Sequence, residues 1–309
     1  MFNVRGSLAA ILLLPFCSPA ASVTLNPVAD TFISENYPSN NFGALLYFNS
    51  GTTQNNFKNR GLLRFDLASA IPAGSKIKSV SLIVECVGSP PPNEKPPPAR
   101  FNLHRALQSW SEGNKVSPTN CTSCSGQGAP ATTNEATWFF RQAFTTNLWA
   151  APGAAAATDY VATASSGVTV YTVDESPYTM LSTTQLVGDV QLWLDQPATN
   201  FGWAVVCQQE GMIFTARRIG SREDPNNAPK LQIGYLIAPK IEKIQKGAAQ
   251  FTLWFTAQPE QTYEVQFRSN LTAVPWQTLI TFGPPPATTP VAVVDAVPTP
   301  QRFYRLLSY

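Results

Sequence analysis

Charge is scarce in this chain. Asp, Glu, Lys and Arg make up 13% of its 309 residues, against roughly 25% in an average soluble protein, so much of the surface must be neutral. The net charge of +2 gives no footprint for nucleic acid or an anionic membrane. Histidine is scarcer still. His104 is the only one; it lies in strand phase with Asn102 and Ala106, and no HExxH spacing or Gly-x-Ser-x-Gly elbow accompanies it, so the common zinc-hydrolase and serine-esterase motifs are missing. Long apolar runs are missing too. Residues 8–16 (LAAILLLPF) fall short of the about 18 to 20 that a membrane span requires. Placed after Arg5 and before Ser18, Pro19 and Ala20, they read as a secretory signal peptide over residues 1–21, cut after Ala20 or Ala21. The mature chain is then expected outside the cytoplasm, secreted or at the cell surface. It ends at Tyr309 with no hydrophobic sorting segment.

What is present points to strands. Twenty-seven prolines and 18 glycines among many Thr, Ser and Val favour short strands joined by turns. Period-two alternation marks residues 76–87 (KIKSVSLIVECV), with Val80, Leu82 and Val84 inward, and residues 100–108, with Phe101, Leu103 and Leu107 in phase. Further strands are expected near 23–33, 45–49, 167–173, 201–208, 212–218 and 230–236. The run SPPPNEKPPPA cannot pair in the middle of a sheet and is expected at an edge or corner. Residues 138–149 (WFFRQAFTTNLW) are ambiguous between a short helix and a strand. One helix is convincing: residues 184–196 repeat Leu186, Val190, Trp193 and Leu194 at helical spacing, with Ser182 or Thr183 to cap the start and Pro197 after the end. The pattern restarts near Ala238 and Pro239, and about five short strands follow. The fold class is therefore all-β: a β-sandwich with one short helix over residues 22–237, then a small fibronectin type III or immunoglobulin-like β domain over residues 238–309.

With Cys17 removed in the signal, Cys86, Cys121, Cys124 and Cys207 remain, enough for two disulfides in an oxidising compartment. Cys121 and Cys124 form a lone CxxC in a Ser/Gly/Pro loop, without the second pair or histidine of a zinc site, which suits a small loop clip. Cys86 and Cys207 both point inward in strand phase. A cross-strand bridge between them and two buried thiols are both open.

Residues 59–67 (NRGLLRFDL) place Gly61, Leu63, Phe65 and Leu67 on one face of a strand and Arg60, Leu62, Arg64 and Asp66 on the other. Arg64 and Asp66 are expected to join Arg217, Arg222 and Glu223 in one network. Two arginine forks suit a uronic-acid carboxylate. Arg and carboxylate pairing across neighbouring strands to fix the register is the favoured alternative, and Arg64→Ala is then expected to harm folding. Trp110, Trp138, Trp149 and Trp203 are candidate sugar-stacking platforms or core fillers, with Trp149, beside an Ala/Gly loop, the best placed for exposure. Asp30, with Asn26 or nearby carbonyls, is the candidate calcium ligand. Two carboxylates about 5 to 10 Å apart would allow glycosidase chemistry; Glu85, Glu112 and Glu223 are the ones to test.

Several separated motifs together resemble one family. ADTFI (29–33), NNFG (40–43), RGLLRFDL (60–67), WSEG (110–113), DVQLWL (189–194) before NFGWAVV (200–206), and RRIGSRE (217–223) are similar to the DNRLRE, or disaggregatase-related, domain, itself similar to carbohydrate-binding module family 96. The likeness extends over residues 23–235. Residues 135–153 resemble a variant found in secreted bacterial proteins, and the C-terminal segment resembles small β-sandwich tails appended to such proteins. The resemblance implies a jelly-roll-like sandwich, secretion and a polysaccharide or cell-surface glycan as partner. The function expected is a non-catalytic carbohydrate-binding or adhesive module. A structural matrix or surface-layer component and a divergent polysaccharide-degrading enzyme are the alternatives. Arg64, Asp66, Trp110, Trp149, Arg217, Arg222 and Glu223 are its candidate ligand contacts, with calcium the one cofactor to consider.

Overall fold

The computed structural model describes residues 21–120, 126–272, 275–296 and 301–309. The expected signal peptide up to residue 20, Cys17 and the CxxC pair Cys121 and Cys124 lie outside the described residues. The chain divides into two compact units, Ala21–Leu236 and Ile237–Tyr309. No described helix is long and apolar enough to cross a membrane.

The large unit begins with β1 (Ala21–Leu25), β2 (Pro27–Ser34), β3 (Asn40–Asn41), β4 (Tyr47–Thr52), β5 (Lys58–Phe65), β6 (Lys76–Val84), β7 (Cys86–Gly88) and β8 (Ala99–Arg105). It continues through β9 (Ala129–Pro130), β10 (Ser166–Val170), β11 (Tyr178–Met180), α1 (Thr184–Asp195), β12 (Trp203–Cys207), β13 (Arg217–Gly220) and β14 (Lys230–Leu236). Two large antiparallel sheets result, ordered β1-β14-β6-β11 and β10-β8-β12-β5-β4-β13-β7, with β2 also on β5, and β3 pairs with β9 in a small third sheet. The alternating apolar residues of both sheets meet in one core, Val80, Leu82, Leu231 and Ile233 with Phe48, Leu63, Phe65, Phe101 and Trp203. This is the jelly-roll-like β-sandwich expected of the sequence. The helix packs on β6 and buries Leu186, Val190, Trp193 and Leu194; its cap is Thr183, whose hydroxyl accepts from Leu186 N at 3.0 Å.

Two local features depart from the sequence pattern. The run expected as one strand over residues 76–87 changes sheets at Glu85, because β6 pairs with β14 and β11 while β7 pairs with β13 in the other sheet. The polyproline connector that follows leaves from β7, the last strand in the order of the larger sheet, where a missing N–H costs no ladder bond. Second, both faces of β5 are buried. Leu62 lies opposite Leu63 and is 2% exposed, in a second apolar cluster with Ile33, Trp110, Trp138, Trp149, Tyr160 and Val206. Residues 106–165, the connection from β8 to β10, supply its aromatic rings. Residues 138–149 are neither helix nor strand but an irregular turn closed by a single bridge between Phe140 and Leu148.

The Cys86–Cys207 bridge does not form. Both are free, buried thiols, and β5, β4 and β13 lie between their strands in the sheet order. Burial pushes both thiols up, and the Arg217 guanidinium pulls both partly back.

The small unit is a second β-sandwich. Its strands are β15 (Lys243–Lys246), β16 (Phe251–Ala257), β17 (Tyr263–Arg268), β18 (Gln277–Phe282), β19 (Thr289–Asp295) and β20 (Phe303–Ser308), in sheets ordered β15-β16-β19 and β18-β17-β20. Leu253, Phe255, Tyr263, Val265 and Val293 form the core. Asp295 is buried and satisfied by Arg302 at 2.8 Å and the Tyr304 hydroxyl at 2.9 Å. The edge strand β15 escapes the sequence pattern because all four of its residues are exposed.

Candidate functional site

Three of the separated motifs converge on one polar cluster. Asp30 comes from β2, Glu112 from the WSEG turn, and Arg222 and Glu223 from the turn after β13. Glu112 accepts from Asp30 N at 2.7 Å and from Arg222 Nε and Nη2 at 2.6 and 2.9 Å. Asp30 accepts from Arg222 N at 2.7 Å, and Arg222 lies 3.0 Å from Glu223. The three carboxylates offer oxygens within 4.8 Å of one another, a group able to hold a metal ion. Burial foremost, and then the charges of Glu223 and Glu112, push the Asp30 carboxyl up to about 8, against the pull of the bond from Arg222 N. Burial also raises Glu223. The Arg222 guanidinium and backbone N–H, with the bond from Asp30 N to Glu112, thus tie three chain segments together. Asn26, the expected companion of Asp30, is elsewhere, accepting from Lys230 Nζ at 2.6 Å.

Arg64 and Asp66 do not join this network. The Arg64 guanidinium lies 5.7 Å from the Trp110 ring centroid, and the exposed Asp66 caps its own turn by accepting from Ala68 N at 3.1 Å. Among the described residues neither is in an ion pair. The covering connection has replaced solvent on that face of β5, leaving Arg64 an aromatic ring instead of a carboxylate. Trp110 and Trp149 are buried, donating to Phe201 O at 2.7 Å and Thr137 O at 2.9 Å, so neither presents a ring face to solvent. The sequence reading also missed Arg60, on the same face of β5. It forms a bidentate pair with Glu210, with both bonds 2.7 Å, and donates to Gly153 O and Ala154 O. The paired NFG turns are alike in detail: Asn41 Oδ1 accepts from Gly43 N and Asn200 Oδ1 from Gly202 N.

Beside β4, β7 and β13 lies an open groove of about 430 Å³, lined by amides and hydroxyls (Asn36, Asn49, Gln54, Thr53), by Pro90, and by Phe214 and Arg218. Period-two alternation on β13 explains the roles of its two arginines. Arg217 turns inward and is 1% exposed. With no carboxylate beside it, Arg217 donates to four carbonyls: Tyr171, Phe214, Ala216 and Pro97, at 2.8 to 3.2 Å. Burial lowers its pKa. The clamp fixes the polyproline connector and the turn carrying Phe214, two walls of the groove. Arg218 turns outward, its guanidinium 4.5 Å from the Tyr47 ring centroid and in no ion pair with a described residue. It crosses β7 at Gly88, where a Cβ would stand 2.9 Å from Arg218 Cδ. Phe214 has φ +62°, a region that a bulky aromatic seldom enters and that needs the surrounding bonds to hold it.

The arrangement offers flat amides, an aromatic edge and a restrained guanidinium along an open trough. The trough is open rather than an enclosed cavity. No curated protein matches the chain. The model of carbohydrate-binding module family 96 matches residues 21–115, from β1 through β8 to the WSEG turn, including Asp30, Asn49, Gly88 and Glu112. Residues 21–115, within the large unit, are thus similar to carbohydrate-binding module family 96.

Proposed function

We propose that this protein is a secreted, non-catalytic binding module for extracellular polysaccharide, and that the groove beside β4, β7 and β13 is where an acidic sugar chain lies. The observation that carries the reading is Arg218: exposed, held on the Tyr47 ring and without a carboxylate of its own, it keeps its fork of donors for a uronate. Phe214 supplies the apolar face against which sugar C–H groups pack, and Asn49, Gln54 and Asn36 face the hydroxyls. The cluster of Asp30, Glu112, Arg222 and Glu223 holds the fold by joining β2, the WSEG turn and the turn after β13. Its carboxylates stand closer together than a glycosidase pair with a sugar between them requires, and Arg222 already bridges Glu112 and Glu223.

A glycan array that includes alginate and other uronate polymers tests this. Binding to uronate chains is expected, and Arg218→Ala should weaken it about tenfold or more, as for loss of a charge-assisted contact, with the fold retained and stability lowered by no more than about 1 kcal/mol, the worth of its contact with the Tyr47 ring. Silence across the array would overturn the binding function. Shortening of a bound glycan would instead favour an enzyme.

A further inference from the structure

The outer face of the β18-β17-β20 sheet in the small unit carries a feature the groove does not explain. Trp276, just ahead of β18, is half-buried with two guanidinium groups over its ring: Arg268 from β17 at 4.4 Å and Arg305 from β20 at 4.6 Å from the centroid. Both lie on one ring, so their separation is at most the sum of those two distances. The strand register places them diagonally, since Arg305 faces Gln266 and Arg268 faces Phe303. Neither is in an ion pair with a described residue. Arg305 donates only through Nε, to Gln266 Oε1 at 2.7 Å, and Arg268 Nε is buried without a partner. Glu264, on the same face, feels the charge of Arg305 but forms no ion pair with either arginine; it is held by Thr278, Gln266 and Tyr309.

A guanidinium stacked on a ring keeps its N–H donors in its own plane, pointing past the ring edge. Two such forks fixed by one indole have already lost much of the side-chain freedom that binding would otherwise remove. We infer that Arg268, Trp276 and Arg305 form a second polysaccharide contact, one that grips an oxyanion substituent, a sulfate ester or a carboxylate, on an anionic glycan chain. It lies in a different unit and uses different residues from the groove, and it stands independently of it.

The test uses the full chain and three probes: dextran sulfate, polygalacturonate and uncharged dextran. The Arg268→Gln/Arg305→Gln double variant is compared with Arg218→Ala by affinity electrophoresis. Wild type should be retarded by at least one anionic polymer and not by dextran, with the double variant weakened about tenfold or more. The polymer that responds identifies sulfate or carboxylate as the anion. Arg268→Lys/Arg305→Lys keeps the charge while losing the planar fork; it should bind more weakly than wild type and guards against a double variant that misfolds. If both double variants retain wild-type affinity while Arg218→Ala loses it, this contact does not exist and the groove reading stands. If the double variants lose sulfate-polymer binding that Arg218→Ala keeps, the contact stands whatever becomes of the groove.

Discussion

Asp30→Asn perturbs the one buried carboxyl whose ionisation the fold opposes. Asp30 is 1% exposed, and two further carboxylates lie within 4.8 Å. Its folded pKa of about 8 stands above the ordinary 3.8. A raised folded value means that Asp30 supports folding most fully below its unfolded pKa and that this support drains away as pH rises through the folded value. At about 1.4 kcal/mol per pH unit, the interval from 3.8 to about 8 is worth on the order of 5 kcal/mol. About 4 kcal/mol of that falls between pH 5 and 8.5. Asn cannot ionise, yet its carbonyl oxygen can still accept from Arg222 N. Urea unfolding of the large unit at these two pH values, in wild type and Asp30→Asn, should therefore show wild type losing several kcal/mol more than the variant. Titrating groups away from Glu112, Arg222 and Glu223 are shared and cancel in the difference. Equal losses in the two proteins would refute the reasoning, because Asp30 would then be ionised in the folded state. Calcium adds a second arm. Uptake by Asp30, Glu112 and Glu223 ionises Asp30 and raises wild-type stability at the higher pH, with no rise in Asp30→Asn.

Two further perturbations follow from the packing. Arg217→Ala removes the donors to four carbonyls at a site 1% exposed and should cost about 3 kcal/mol or more, whereas Arg64→Ala loses a stack on Trp110 worth about 1 kcal/mol; denaturation midpoints ranked the other way would place the structural arginine on β5. Gly202→Ala puts a Cβ 2.1 Å from Leu63 O at φ +73° and should destabilise by roughly 2 kcal/mol or more, while Gly188→Ala on the open face of α1 meets nothing within 4 Å and should stabilise by about 0.5 to 1 kcal/mol. Thermal melts of the two alanine variants check both signs.

The local periodicities were legible without a structure. Val80, Leu82 and Val84 alternate and are buried, Leu186, Val190, Trp193 and Leu194 repeat at helical spacing under a Thr183 cap, and the two NFG turns share one side-chain bond, because each depends on neighbours within a few residues. Asp30 is singled out in the sequence as a candidate calcium ligand, with Asn26 or nearby carbonyls as its expected companions. Tertiary structure decided its companions. Glu112 and Glu223 reach it from positions 82 and 193 residues away, and no local pattern encodes such a meeting. The same holds for the two arginines of β13. Sequence gives their alternation, but only the fold shows that Arg217 clamps four carbonyls while Arg218 lies exposed over the Tyr47 ring. NRGLLRFDL makes the point most plainly. Its alternation correctly turned Leu63 and Phe65 to the core, yet the charged face, expected to pair with carboxylates of neighbouring strands, is covered by a distant connection that gives Arg64 the Trp110 ring instead. Periodicity reports which side chains share a face; what covers that face is set by chain segments far away in sequence.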